Sequence, residues 1–268
     1  VTSDTATSVP IALRDALRRH PRLVLAVSGG VDSMTLAHAA HHVLGVDRVA
    51  VCHAVSPAVP DLATRRVQDH AARNGWRLHL LEAGEFADPN YLKNPVNRCY
   101  FCKSNLYDRI AASVAGSIAS GANLDDLNDF RPGLKAADER RICHPFVEAG
   151  LRKADIRALA RAFGLDDISE LPAQPCLASR IETGLTVTPE DLAFVQQVET
   201  ALDALAPRAT LRCRVVAGGI RLELSPDLIA DTGLHQRMSA TARDLCDTAG
   251  RALLSVTPYQ RGSAFLHG

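Results

Sequence analysis

Two sets of residues in this chain have the types and spacing for chemistry. The first is Ser28-Gly29-Gly30-Val31-Asp32-Ser33. Adjacent glycines let a backbone wrap closely and aim amide hydrogens at an anion. Ser28 and Ser33 add hydroxyl donors, and a following helix would add its positive dipole end. Asp32 would repel phosphate unless a divalent cation such as Mg²⁺ bridged them, which makes it a candidate magnesium contact. No Gly-Lys-Ser/Thr ending follows, so this is not a Walker loop. Gly-Gly alone would suit a plain turn, but the six residues together point to ATP. The second set is sulfur. Cys99 and Cys102 form a C-x-x-C pair, and Cys176 lies far along the chain. Three thiolates are one short of a closed four-cysteine site, and zinc would want a further ligand such as histidine. A C-x-x-C pair can also be structural or redox-active. Cys52, Cys143, Cys213 and Cys246 lie in or beside apolar segments and read as buried structural cysteines.

Charged candidates surround these sets. Lys103 follows the C-x-x-C pair and could meet a phosphate or a carboxylate, or simply be a solvated helix lysine. Asn123, Asp125 and Asp126 follow a strand that contains Gly121, at the carboxyl end where open α/β sheets bind ligands, or they serve a helix cap or turn. Arg212 and Arg214 alternate along a strand and share a face, so they could clamp a phosphate or face solvent. Glu223 and Asp231 could contact a metal or be exposed acids. The pair His41-His42 reads as surface, and the histidines show no ligand spacing.

The positioning elements are legible as alternation. Strands are expected over 22–27, 48–54, 77–81 and 116–122, and helices over 32–44, 62–74 and 153–163. Residues 91–103 read as a loop entering a helix that runs to about Val114. This pattern predicts an α/β fold, a parallel sheet with helices on both faces. The texture changes to Pro, Cys, Ser and Gly around 172–184. We place a domain boundary there, giving 1–180 and a small α+β domain over 181–268. Thr188-Pro189-Glu190-Asp191 reads as a helix start. Two strands over 210–216 and 220–224 are joined through Gly218-Gly219, and a last strand is expected over 253–256.

Composition narrows the class. In 268 residues, 30 basic and 30 acidic side chains balance, which argues against a dedicated nucleic-acid binder. No apolar run of about 18 residues occurs, so no membrane span is expected. The polar start lacks a signal pattern. Seven cysteines are an odd count, in a chain too long to need disulfide staples. A cytoplasmic protein is the expectation.

The loop Ser28–Ser33 resembles the signature of the PP-loop ATP pyrophosphatases, whose shared step is attack of a substrate oxygen on the α-phosphate of ATP. Nearly the whole chain resembles the LarE-type sulfur transferases of nickel-pincer nucleotide biosynthesis. The resemblance rests on Asn97-Arg98-Cys99-Tyr100-Phe101-Cys102-Lys103, Gly121-Ala122-Asn123-Leu124-Asp125-Asp126, Arg131-Pro132-Gly133 and Glu148-Ala149-Gly150-Leu151. Its most specific block is Pro175-Cys176-Leu177-Ala178-Ser179-Arg180, and Pro258-Tyr259-Gln260-Arg261-Gly262-Ser263 closes it. The chain departs at Ile168-Ser169-Glu170-Leu171, where a Trp-Asp-Lys-like run is expected, and at Pro258 and Gln260, in place of Gly and Arg.

The resemblance implies a carboxylate of a pyridinium dicarboxylate mononucleotide as the group adenylated. It assigns sulfur handling to Cys176, whose thiolate Arg180 could stabilise. It gives ATP to Ser28–Ser33, Gly121, Asn123 and Asp125. Substrate falls to Lys103, Asp126, Ser179, Arg180, Arg212 and Arg214, the two last arginines holding its phosphate. Members with three such cysteines hold a 4Fe-4S cluster whose free iron can carry an extra sulfide. Members with one cysteine give up its own sulfur. The implied partners are a nucleotide substrate, a sulfide or other sulfur donor and further copies of the chain. Competing readings are a tRNA thiolase, an amide-forming adenylating synthetase and a non-enzymatic iron-sulfur carrier that binds nucleotide.

Overall fold

The computed structural model describes residues 9–128, 131–207 and 209–260. Its contacts divide the chain into two units. One is Val1–Ala87 with Cys99–Gln174, the other Asp88–Arg98 with Pro175–Gly268. The second unit therefore begins earlier than residue 181 and includes a strap read from sequence as a loop.

Hydrogen bonds explain the strap. It carries the short helix α4 (Pro89–Leu92) that follows the first unit's α1 (Ile11–Arg18), α2 (Val31–Leu44) and α3 (Asp61–Asn74). Asn94 is fully buried with φ 52°, and its amide donates to the carbonyls of Ile181 and Glu182. The Asn94 carbonyl accepts from Gly184, and the Leu92 carbonyl accepts from Val187. Buried Arg98 donates to the Asn94 side-chain oxygen.

In the first unit, β1 (Leu23–Ala26), β2 (Val49–Ala54), β3 (Arg77–Leu81) and β4 (Ser117–Ser120) form one parallel sheet, ordered β3-β2-β1-β4. Alternate side chains serve opposite faces. Leu23, Leu25, Val49 and Val51 join a core with Leu13 and Leu17 of α1, Met34 and Leu36 of α2, and Val67 of α3. Val24 and Cys52 pack the other way, with Leu106, Tyr107 and Ile110 of α5 (Arg98–Ser113). Helices thus cover both faces, as the apolar runs require. Gly75, in the left-handed region at φ 63°, ends α3. The unit also contains α6 (Pro132–Glu139), α7 (Pro145–Glu148), α8 (Lys153–Ala162) and α9 (Asp166–Ser169). Ile156, Leu159 and Ala160 of α8 enter the first core. Helix α1 went unread because only Leu13, Ala16 and Leu17 mark its buried side.

The second unit is built from α10 (Pro189–Asp203), the antiparallel hairpin β5 (Leu211–Val216) and β6 (Gly219–Leu224), α11 (Pro226–Ala230), α12 (Thr232–Thr248) and β7 (Leu253–Pro258). β7 runs parallel to β6. Leu211, Cys213, Val215, Ile220, Leu222 and Leu224 are buried on one side, while α10 packs on β5 and α12 on β7. The other side carries Arg212 opposite Glu223 and Arg214 opposite Arg221. Among the described residues, no helix is long and apolar enough to cross a membrane. The expected start of α10 is present: Thr188 Oγ1 accepts from the Asp191 amide at 3.1 Å. Thr188→Ala should lower unfolding stability by about 1 kcal/mol, read as a lower urea midpoint at unchanged slope.

Candidate functional site

Register sets one edge of the first unit. Ala26 pairs with Ser120, so the loops leaving β1 and β4 start side by side. Gly29 turns with φ 82°, and a Cβ there would lie 2.8 Å from the Ala63 carbonyl oxygen. Ser33 knots the turn. Its Oγ accepts from the Ser28 amide at 3.1 Å, lies 3.2 Å from Ser28 Oγ and donates to the Gly30 carbonyl. Gly30 caps α2 and so offers no side chain to the first-turn amides. Gly121 is pressed against that turn, and a Cβ would stand 2.8 Å from the Ser33 nitrogen. Val31, expected in the ATP loop, is the first residue of α2, and its side chain is buried in the core.

Asp32 sits within this edge. Its Oδ2 is 2.5 Å from Lys153 Nζ, while its buried Oδ1 has no hydrogen-bond partner. Burial pushes the Asp32 carboxyl above its ordinary range, and Lys153 pulls it back. An orphaned, desolvated carboxylate oxygen beside an uncapped helix start suits a hard cation bridging to phosphate. The following acids are engaged within the protein. Asp125 accepts from the Lys153 amide and from Arg152, each at 2.9 Å, and so caps α8. Asn123 is buried and accepts from the Asp125 amide. Asp126 accepts from the Asn123 amide and pairs with Arg131 at 2.8 Å. Lys153 was missed in the sequence. Its signal was a lysine at the first position of a helix, against the macrodipole, which implies an external reason for the charge.

The C-x-x-C pair lies in the first turns of α5, not in a loop, because the helix already starts at Arg98. Spacing of three places Cys99 and Cys102 on one helix side. Cys99 is exposed and Cys102 half-buried. Gly133 of α6 seats against this turn, where a Cβ would lie 3.1 Å from Lys103 Cγ and 3.6 Å from the Cys99 carbonyl oxygen. Lys103 Nζ stands 5.8 Å above the Tyr107 ring. Cys52, Cys213 and Cys246 are buried as expected, whereas Cys143 is half-buried.

In the second unit, half-buried Cys176 precedes a 3-10 turn over Leu177–Arg180. Arg180 is 5% exposed and wraps that turn. It donates to the carbonyls of Pro175 and Cys176 and to Ser179 Oγ, and makes a two-point pair with Glu199. Arg180 therefore holds the Cys176 segment in shape. Glu199, unread from sequence, anchors it and also accepts from the Cys213 amide. Arg214 is buried, paired with Glu223 at 2.8 Å and bonded to the Ser179 carbonyl. Arg212 is half-buried, lies 5.4 Å over the Tyr259 ring and has no carboxylate in ion-pair contact among the described residues. Asp231 caps α12 by accepting from the Leu234 amide. Among the described residues no group of three or more His, Cys, Asp or Glu is set to hold a metal ion. Cys99 and Cys102 belong to the first unit and Cys176 to the second.

No family model matches the chain. An uncharacterized protein of Synechocystis is 38% identical over 81% of both chains. The pyridinium-3,5-bisthiocarboxylic acid mononucleotide synthase of Lactiplantibacillus plantarum is 32% identical over 81% of this chain and 79% of its own. The chain belongs to the LarE family of sulfur transferases. A Methanocaldococcus jannaschii protein, also uncharacterized, is 25% identical over 78% of this chain and 80% of its own. The family tail at Arg261–Ser263 lies outside the described residues.

This LarE-type chain also holds a histidine chain between α2 and α3. His38 Nε2 meets His70 Nδ1 at 2.9 Å, and His70 Nε2 meets Asp167 at 2.7 Å. His41 stacks on Trp76 at 4.8 Å and is half-buried, not a surface residue; His42 alone is exposed. Burial, then the nearby His70 and His41, lower the His38 pKa from 6.5 to about 4. The unfolded chain takes up that proton near pH 6.5, the folded chain only near pH 4. Stability is therefore fully present above the unfolded value and falls as pH drops between the two. His41, His53 and His144 are lowered too and add to the slope. Urea unfolding from pH ~7 to ~4.5 should show stability declining, with a shallower decline in His38→Gln.

Proposed function

We propose that this chain adenylates a substrate carboxylate with ATP, releases pyrophosphate, and lets sulfur displace AMP to leave a thiocarboxylate. The observation that carries the first half is the uncapped start of α2, closed in by Gly121 and flanked by the Asp32–Lys153 pair. The relative's name supports the second half, because a bisthiocarboxylic acid mononucleotide is a dicarboxylic one with sulfur inserted. The acceptor is accordingly a pyridinium dicarboxylate mononucleotide, in nickel-pincer cofactor biosynthesis.

The chain's own groups divide the work. The amides of the α2 start and the hydroxyls of Ser28 and Ser33 receive phosphate oxygens. Mg²⁺ held by Asp32 would neutralise phosphate charge. Lys153, already beside Asp32, keeps a cation at the developing charge. A carboxylate oxygen bonds to the α-phosphorus as the bond to the leaving pyrophosphate breaks. Sulfur then bonds to the carboxyl carbon as AMP leaves. Arg212, over the Tyr259 ring, is the cation available to the substrate's phosphate. By resemblance, Cys99, Cys102 and Cys176 would be the ligands of an iron-sulfur cluster. A 4Fe-4S cluster on them would supply sulfide from the iron without a protein ligand. If Cys176 itself supplies the sulfur, its Cβ–S bond breaks with loss of the Cα proton, and dehydroalanine remains.

Asp32→Asn and Lys153→Ala should each slow carboxylate-dependent pyrophosphate release on the order of a hundredfold. Cys176→Ala should still release pyrophosphate in a single turnover but form no thiocarboxylate. Full turnover by Cys176→Ala with ammonia would overturn the sulfur reading. Anaerobic iron and sulfide analysis with intact mass separates the two sulfur sources. A cluster with an unchanged chain mass after turnover means transferred sulfide, and loss of one H₂S from the chain means a sacrificed Cys176.

A further inference from the structure

Among the described residues, two cations bond to the nucleotide loop of the first unit, and they are in opposite states. Lys153 is spent on Asp32. Arg66, on α3, is half-buried and donates from Nη1 to the Gly29 carbonyl at 2.8 Å and to Gln174 Oε1 at 3.2 Å. Both partners are neutral. No carboxylate lies within ion-pair distance of Arg66 among the described residues. The acid whose field reaches it is Asp167, already bonded to His70 at 2.7 Å and 3.8 Å from Arg73. A partly desolvated guanidinium held by neutral acceptors loses hydration without regaining an opposite charge. Its planar fork keeps further N–H donors for an oxyanion, and the carbonyl that anchors it belongs to the central glycine of the phosphate turn.

We infer that Arg66 is a phosphate-binding residue that engages the β- and γ-phosphates of ATP and holds them as pyrophosphate leaves. The inference rests on the adenylation reading. Arg66 and Lys153 come to the turn from different sides, and the leaving phosphates are assigned to the Arg66 side. Arg66 approaches from α3, whose Ala63 closes the Gly29 side of the turn. Lys153 and Gly121 close the Asp32–Ser33 side, beside the start of α2. The substituent at Gly29 is also the one excluded by Ala63, so the turn and Arg66 are held at a fixed offset by the same helix. Gln174 restrains the side chain from the residue that leads into Pro175-Cys176. Arg66 thus ties the phosphate turn to the first unit's end of the cysteine segment.

The test is calorimetric binding of magnesium pyrophosphate and, separately, of AMP, with ATP kinetics alongside. Arg66→Gln should weaken pyrophosphate binding and raise the KM for ATP by about tenfold each, leaving AMP affinity within about twofold. Arg66→Lys should recover part of the loss, because it keeps the charge but not the fork. Equal loss of AMP and pyrophosphate would show that Arg66 only shapes the loop, and unchanged pyrophosphate binding would exclude the contact; either overturns the inference while leaving adenylation intact. A wild-type chain that binds neither ATP nor pyrophosphate would overturn the adenylation reading and this inference with it.

Discussion

The approach of Gly121 to the first turn of α2 is the constraint on which the edge beyond β1 and β4 depends. Parallel pairing of β1 and β4 brings two loop starts together, and the missing Cβ lets backbone lie against backbone at Ser33. With Gly30 in the cap position offering no side chain to the first-turn amides, the helix start keeps its positive end at this edge. Gly29 and Ala63 repeat the device from the side of α3. Two close backbone approaches therefore fix a small cradle whose walls come from segments far apart in sequence.

Charge is then distributed by partner. Buried or half-buried cations that meet carboxylates hold structure: Arg180 with Glu199 shapes the segment after Cys176, and Arg214 with Glu223 locks the arginine-bearing face of β5 and β6. Removing one member of such a buried pair leaves an uncompensated charge, which makes these positions intolerant of substitution. Cations with neutral partners remain available to anions, and Arg66 and Arg212 are of that kind. Lys153 stands between the two classes, because its partner Asp32 keeps one orphaned oxygen. The same residue type thus has different roles, decided by what lies within hydrogen-bond reach.

Local signals explain what the sequence showed. The apolar runs of β1 and β2, the Gly75 stop and the Thr188 cap are written in neighbouring residues, and the elements appear where the pattern puts them. The turn after β1 was legible because its glycines and hydroxyls are neighbours in the sequence. Long-range pairing was not legible. Nothing near Asn94 announces that its amide serves Ile181 and Glu182, so a strap of the second unit looked like a loop of the first. Arg214 looked equivalent to Arg212 because alternation gives only a shared face; the buried Glu223 that distinguishes them lies across the hairpin. Asp125 read as a ligand contact or a cap, and the helix its carboxylate caps, α8, is one it meets only after folding.

The central claim is that a carboxylate oxygen attacks the α-phosphorus and that sulfur then takes the place of AMP. Turnover of a substrate whose carboxylate carries ¹⁸O, with mass analysis of the AMP formed, tests it most directly. The account predicts that AMP gains one ¹⁸O from the substrate while pyrophosphate stays unlabelled. AMP free of ¹⁸O, or label appearing in pyrophosphate or inorganic phosphate, would contradict it.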